Sequence, residues 1–233
     1  MVIYQPNEGY CYNSDTIFLY DFIRNFEIKG EVLDVGTGSG ILALLIKRDY
    51  PKASVNAIEI QERFVKMANI NADANKKDIN IYFGNFLHMV FEKRFDWIVS
   101  NPPFYHTEVL RSKNEMIDTA RYAGHLPLDK FLKKANSLLK PRGSVLFCYD
   151  AKQIQSIMTL LHFYKFTIET MKFIHPKREK NASLVILQAR KSSKSLCNIL
   201  PPLIVFGEDG KYTQETNNIF KKVGVHSIKC DLL

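Results

Sequence analysis

Glu31-Val32-Leu33-Asp34-Val35-Gly36-Thr37-Gly38-Ser39-Gly40 is a short apolar strand that opens into a glycine turn and then into the apolar run Ile41 to Lys47, a helix. Glycines at that corner permit positive backbone dihedrals and let a ligand come close to the main chain. A glycine turn alone marks only a turn. The next strand gives it meaning. Ser54 to Ile58 reads as that strand, and Glu59 stands at its end, 23 positions beyond Gly36. An acidic residue there is placed to accept hydrogen bonds from two ribose hydroxyls, outside the carboxyl end of a parallel strand, where open α/β sheets bind ligands.

The same alternation runs outward. Glu62 to Ala74 is amphipathic, and Ile79 to Phe83 and Phe95 to Val99 are strands. Leu128 to Leu139 repeats apolar positions at three and four, which predicts a helix. Pro141-Arg142-Gly143 ends it, and Ser144 to Cys148 resumes strand character. Gln153 to Phe163 reads as helix, then Thr167 to Ile174 and Ser183 to Ala189 as two strands with no helix between. Strands separated by helices imply a doubly wound α/β sheet, mostly parallel, and the closing hairpin implies one antiparallel strand. The expected fold is a Rossmann-like sheet of seven strands over residues 1–190, with residues 191–233 an extension packed on it.

The third strand ends in Phe83-Gly84-Asn85-Phe86, where the Asn85 amide and the Phe86 ring suit an adenine. These features imply a nucleoside-containing cofactor and leave open a nicotinamide dinucleotide or S-adenosylmethionine. The spacing Gly-x-Gly-x-Gly leans mildly away from pyrophosphate.

The fourth strand runs into Asn101-Pro102-Pro103-Phe104, which decides the chemistry. An adenine amino nitrogen is a poor nucleophile because its lone pair is delocalised into the ring. The Asn101 carboxamide oxygen can accept one amino hydrogen and the Pro102 carbonyl the other. That pair draws the nitrogen toward tetrahedral geometry and stabilises the charge it acquires. Pro102 and Pro103 stiffen the loop, and Phe104 offers a face on which an extruded base can stack. A proline turn that merely ends a strand is the bland alternative, and it leaves the glycine turn and Glu59 without a purpose.

Composition narrows the partners. The chain has 233 residues and a net charge of +8. Residues 151–233 hold 13 Lys and Arg against 6 Asp and Glu, so the surplus sits in the last third, as a polyanion-binding surface requires. No apolar run approaches the roughly 20 residues of a bilayer span, and the start lacks a signal-peptide pattern, so a cytoplasmic protein without membrane contact is expected. Cys11, Cys148, Cys197 and Cys230 lack paired zinc spacing. No metal is expected, and Cys148 reads as a small buried hydrophobe.

With these motifs in hand, the chain resembles the amino-group methyltransferases that carry Asn-Pro-Pro-(Tyr/Phe). More narrowly, it is similar to the bacterial valine-tRNA adenine-N6 methyltransferases, and the likeness covers nearly the whole chain. Its leading segment, Tyr4-Gln5-Pro6-Asn7-Glu8-Gly9-Tyr10 with Ser14-Asp15 behind it, is similar to one that packs near the cofactor in that family. Thr119-Ala120-Arg121-Tyr122 and Leu126-Pro127-Leu128 are similar to its substrate-side insertion. Phe173-Ile174-His175-Pro176, Leu200-Pro201-Pro202-Leu203-Ile204-Val205 and Glu208-Asp209-Gly210-Lys211-Tyr212-Thr213 are further likenesses, the last two the most family-specific. Many members have Asp in place of Asn85 and Tyr in place of Phe104.

The resemblance implies S-adenosyl-L-methionine as cofactor, tRNA as partner, and N6 of an adenine beside the anticodon as target, with a monomer expected. Asp34, Gly36, Thr37, Gly38, Gly40, Glu59, Ile60, Asn85, Phe86, Asn101, Ser14 and Asp15 are the expected cofactor residues. Arg121 is a candidate RNA contact. So is the loop after the sixth strand, His175-Pro176-Lys177-Arg178-Glu179-Lys180-Asn181, whose Lys177, Arg178 and Lys180 form a phosphate-contacting rim. His106 and His125 read as loop histidines.

The rivals are a ribosomal guanine-N2 methyltransferase, a protein glutamine methyltransferase, an NAD-dependent oxidoreductase and a non-catalytic RNA-binding module. The first two usually carry an extra front domain, whereas about thirty residues precede the glycine turn here. The oxidoreductase has no use for Asn101-Pro102-Pro103-Phe104, and the bare RNA module none for the cofactor motif.

Overall fold

The computed structural model describes residues 1–8, 10–103 and 126–231. Its centre is a parallel sheet covered on both faces. In chain order the elements are β1 (Val2–Pro6), α1 (Ser14–Ile23), β2 (Glu31–Val35), α2 (Ile41–Asp49), β3 (Ser54–Glu59), α3 (Glu62–Ala74), β4 (Asn80–Phe83) and β5 (Phe95–Ser100). Then come α4 (Leu128–Leu138), β6 (Leu139–Asp150), α5 (Ile154–Phe163), β7 (Phe166–His175), β8 (Leu184–Lys191), β9 (Asn198–Ile199), β10 (Leu203–Ile204), α6 (Gln214–Val223) and β11 (His226–Cys230).

The strand order β7-β8-β6-β5-β2-β3-β4 gives the seven expected strands. β8 is the one that runs antiparallel to its neighbours β6 and β7. The tail adds two more: β10 and β9 pair in parallel along β7, so the sheet has nine strands rather than seven. These two-residue strands are too short for any periodicity to announce them.

The apolar runs have their cause in this layering. Val32, Leu33 and Val35 of β2 are buried because helices cover both faces. One core cluster joins α1 and α2 with Leu203, Val205, Ile219 and Val223 from the tail. The other holds Phe131, Leu132, Ala135 and Leu138 of α4 with Ile157 and Leu161 of α5. The α4 residues repeat at three and four, the spacing of one helix face.

Two boundaries differ from the sequence reading. α4 ends at Leu138 rather than Leu139, and β6 begins at once with Leu139 opposite Phe95 rather than at Ser144. The register shifts between Phe95 and Trp97, so Pro141-Arg142-Gly143 is accommodated inside β6 as an irregularity. Arg142 takes φ +62° there, and a Cβ on Gly143 would lie 3.1 Å from the Asp96 carbonyl.

The two termini close on each other. β1 and β11 form a parallel pair with Tyr4 opposite Ile228. β1 is tied to α3 by two asparagines one turn apart. Asn71 Oδ1 accepts from Tyr4 N–H at 2.7 Å, and its Nδ2 donates to the Tyr4 carbonyl at 3.0 Å; Asn75 serves both backbone groups of Val2 in the same way. These side chains act as a substitute strand edge, and they bring the next segment, Tyr10 to Thr16, over the carboxyl end of the sheet.

Candidate active site

The pocket forms where β2 and β5 diverge from their glycine and proline turns. Gly36 and Gly38 have φ of +71° and +55°, and a Cβ on either would meet nothing within 4 Å. Their conformation, not crowding, demands glycine. Gly36 N–H donates to the Ile58 carbonyl at 2.9 Å and so bends the turn back onto β3. Gly40, at φ +84°, caps α2, and its hydrogens face Ala68, where a Cβ would lie 3.1 Å away. Gly40 is therefore a packing position behind the pocket rather than part of its wall.

Glu59 is buried and holds the turn together. Oε2 accepts from Gly38 N–H at 2.9 Å, and Oε1 accepts from Ile60 and Gln61 N–H, both at 2.9 Å. Burial raises its pKa, and the three amides pull against that rise. Oε1 accepts two bonds and Oε2 one, so Oε2 retains an acceptor position beyond those the turn uses.

Asp34 is also buried. It accepts from the Thr37 hydroxyl at 2.6 Å and from Ala43 N–H at 3.2 Å. Burial pushes its pKa up to about 7, with the Glu59 carboxylate adding to the rise.

Ile60, Asn85 and Phe86 line the same pocket as Asp34, Gly36, Thr37 and Glu59. The Asn85 carboxamide oxygen accepts from Leu87 N–H at 2.9 Å. This bond fixes the amide within its turn.

Asn101 and Pro103 line the pocket too, and Pro102 between them is buried. Asn101 Nδ2 donates to the Thr16 hydroxyl at 2.9 Å, and its Oδ1 accepts from the Cys148 thiol at 3.0 Å. Burial holds the Cys148 pKa well above its ordinary value, and the Asp15 carboxylate adds to this, so the sulfur stays a protonated donor. Cys148 is thus more than the small hydrophobe expected from its apolar run. One lone pair of Oδ1 remains unclaimed by that bond.

The leading segment needs one correction. Neither Ser14 nor Asp15 is on the pocket wall; Tyr10, Tyr12 and Thr16 are. Ser14 faces a separate cleft on the outer side of α1. Asp15 is held by Asn13, which caps the helix, and its own pKa is raised by burial. Helical geometry explains the change, because it is Thr16 that reaches Asn101.

Phe104, His106, Arg121 and His125 lie outside the described residues. Tyr10 and Leu126, named from sequence only within the leading segment and the substrate-side insertion, line the wall, and sequence reasoning missed Thr16, Tyr12 and Phe64 there; only tertiary contact brings these three to it.

The basic loop lies on the matching edge. β7 is antiparallel to β8, which is antiparallel to β6, which is parallel to β5. His175 and Asn101 therefore end strands of the same direction. The turn is shaped by Lys180 N–H on the Lys177 carbonyl at 3.1 Å and by the Lys180 carbonyl at 2.8 Å from His175 Nδ1.

Comparison with known proteins agrees with this geometry. The profile of the methyltransferase small domain matches residues 14–173, which span the glycine turn, the proline turn and most of the sheet. The chain belongs to the methyltransferase small domain family. Two curated relatives of this methyltransferase are both named tRNA1(Val) (adenine(37)-N6)-methyltransferase. That of Porphyromonas gingivalis is 28% identical over 81% of this chain and 77% of its own length. That of Phocaeicola vulgatus is 31% identical over 72% and 71%. Among solved structures, the ribosomal protein L11 methylase of Lactobacillus delbrueckii superposes with a TM-score of 0.58 at 27% identity, covering 77% of this chain and 80% of that one.

S-adenosyl-L-methionine is the cofactor of this methyltransferase family, and the pocket fits it. The open glycine corner leaves room against the main chain, and Oε2 of Glu59 offers an acceptor for ribose. Among the described residues no cluster of metal-ligating side chains occurs, and no helix is long and apolar enough to cross a membrane.

Proposed function

We propose that this methyltransferase modifies N6 of adenine 37 in valine tRNA. The observation that carries the reading is the Asn101 carboxamide at the pocket, anchored by Thr16 on its nitrogen and by Cys148 on its oxygen. The names of the relatives supply the substrate, and the basic turn on the same edge suits a polyanion.

Asn101 Oδ1 accepts one hydrogen of the adenine amino group through its remaining lone pair, and the Pro102 carbonyl accepts the other. Held between two acceptors, N6 concentrates its lone pair toward the methyl donor. S-adenosylmethionine, held at the glycine corner and by Glu59, would supply an electrophilic sulfonium methyl, which N6 would take as the carbon–sulfur bond breaks and its bonding pair leaves with the sulfur. The methylated nitrogen then releases a proton to water, with no strong base required. Phe104 stacks the extruded base, and Arg121, Lys177, Arg178 and Lys180 hold phosphates without reading sequence.

A monomer is taken as the working unit, and a tRNA substrate supports a cytoplasmic site of action.

The test is mass spectrometry of nucleosides from purified valine tRNA of a strain lacking the gene. The reading predicts loss of one N6-methyladenosine, restored by the wild-type chain. An unchanged N6-methyladenosine content contradicts it.

A further inference from the structure

The segment Glu208-Asp209-Gly210-Lys211-Tyr212-Thr213 takes no part in the cofactor pocket, yet the structure brings it to the catalytic edge. β10 runs parallel to β7, with Ile204 opposite His175, so the chain beyond it emerges at the sheet's carboxyl end. Phe206 N–H donates to the Pro176 carbonyl at 2.8 Å, which joins this segment to the basic turn. The chain then reverses, and Tyr212 bridges back to Phe206.

There the rings form a stack. Tyr212 lies on Phe206 with centroids 5.0 Å apart at 18°, and Phe220 of α6 packs against it in a T-shaped contact at 5.1 Å and 78°. Tyr212 nevertheless stays 44% exposed. A large aromatic at that exposure keeps ring surface available to a flat partner even with Phe206 stacked on it.

Tyr212 walls a cleft of about 260 Å³ with Phe220, Tyr12, Asn13, Ser14 and Ile17. Tyr12 also lines the cofactor pocket, so the cleft and the pocket share a wall. Asn13 and Ser14 stand within one helical turn of Thr16, whose hydroxyl holds Asn101. Lys211 precedes Tyr212 in the chain, and Lys221 and Lys222 lie between Phe220 and Val223 of the cleft lining; all three are exposed. An exposed aromatic ring with cations next to it in the chain suits an unpaired nucleotide, with stacking for the base and charge for the phosphate.

We infer that this cleft binds the base of an unpaired nucleotide adjacent to the target adenine, stacked on Tyr212. The inference rests on the RNA reading above and gives the tail a function within it. A base flipped into the pocket leaves its neighbour without a stacking partner, and Tyr212 replaces that partner. The tail thereby acts as a substrate-positioning element rather than as packing alone.

The experiment measures methyl transfer from labelled S-adenosylmethionine into an unmodified valine-tRNA transcript by wild type, Tyr212→Phe and Tyr212→Leu. Leucine keeps apolar packing on Phe206 and Phe220 and removes the flat face. Tyr212→Phe is expected within about twofold of wild type, and Tyr212→Leu to raise KM for the transcript roughly tenfold or more, the scale of one lost base stack, with kcat and cofactor affinity unchanged. Two transcripts with an abasic site, on one side of the target adenine or the other, complete the cycle. With one of them wild type should lose the same factor and Tyr212→Leu nothing further.

An unchanged KM in Tyr212→Leu overturns the inference, as does an abasic loss that remains full in that variant. If wild type leaves the transcript unmethylated, the substrate reading has failed separately. Binding of a transcript carrying 2-aminopurine beside the target then decides. Quenching by wild type and not by Tyr212→Leu supports the cleft, and equal quenching by both refutes it.

Discussion

The Cys148 thiol donates to Asn101 Oδ1 at 3.0 Å, one step beyond the paired residues Ser100 and Phe147 of β5 and β6. Parallel register thus sets a donor opposite the oxygen assigned to the substrate amino group. Thr16 accepts from the other end of the same amide, so the carboxamide is oriented from both sides and presents an acceptor rather than a donor.

Cys148 should therefore matter through Asn101. In Cys148→Ser the donor is kept, and kcat should stay near wild type. In Cys148→Ala it is lost, and kcat should fall by roughly 3–10-fold, the worth of a hydrogen bond of about 1 kcal/mol, while cofactor affinity is held. Equal kcat in the two variants would contradict the positioning role.

Glu59→Gln replaces one acceptor oxygen with an NH2 that cannot accept from its backbone donors. Cofactor affinity should weaken by roughly 1–3 kcal/mol, the range for hydrogen bonds to a charged group. Calorimetric titration with S-adenosylmethionine measures this, and an unaltered Kd would remove Glu59 from the site.

Asp34 predicts a pH dependence of stability. Its folded pKa of about 7 lies above the ordinary value of 3.8, so the folded state binds the proton more tightly than the unfolded chain. The resulting stabilisation is complete below about pH 4 and is lost as pH rises through about 7. Glu59 and Asp15, both raised by burial, act in the same direction. Urea unfolding of the ligand-free protein between pH 4 and 8 should show wild type losing stability relative to Asp34→Asn. A difference that is flat with pH would refute the assignment.

Reversal of Lys177, Arg178 and Lys180 to Glu should weaken tRNA binding and reduce the slope of log K against log salt by about 2–3, given roughly 0.7–0.9 for each phosphate contact. An unchanged slope would exclude the turn from the interface.

How much of the molecule is legible in its sequence depends on the range of the interactions concerned. α3 was legible residue for residue, because its amphipathic spacing is local. Gly36, Gly38, Glu59 and Asn101 stood out because each sits at a strand end whose turn geometry restricts the residue type. Cys148 and Thr16 did not, since their importance comes from contacts 47 and 85 positions away along the chain. The pairing of β1 with β11 joins the two ends of the chain, and no local pattern foretells it. Ser14 and Asp15 came from resemblance alone, and it is their neighbour Thr16 that lines the pocket and bonds Asn101.

The most direct measurement is single-turnover transfer of labelled methyl to a valine-tRNA transcript by wild type and Asn101→Ala, with cofactor Kd measured in parallel. Loss of one aligned acceptor at a developing charge costs roughly 10²–10³ in rate. The account predicts a fall of at least that size in Asn101→Ala with Kd near wild type. Transfer at the wild-type rate by Asn101→Ala would contradict it.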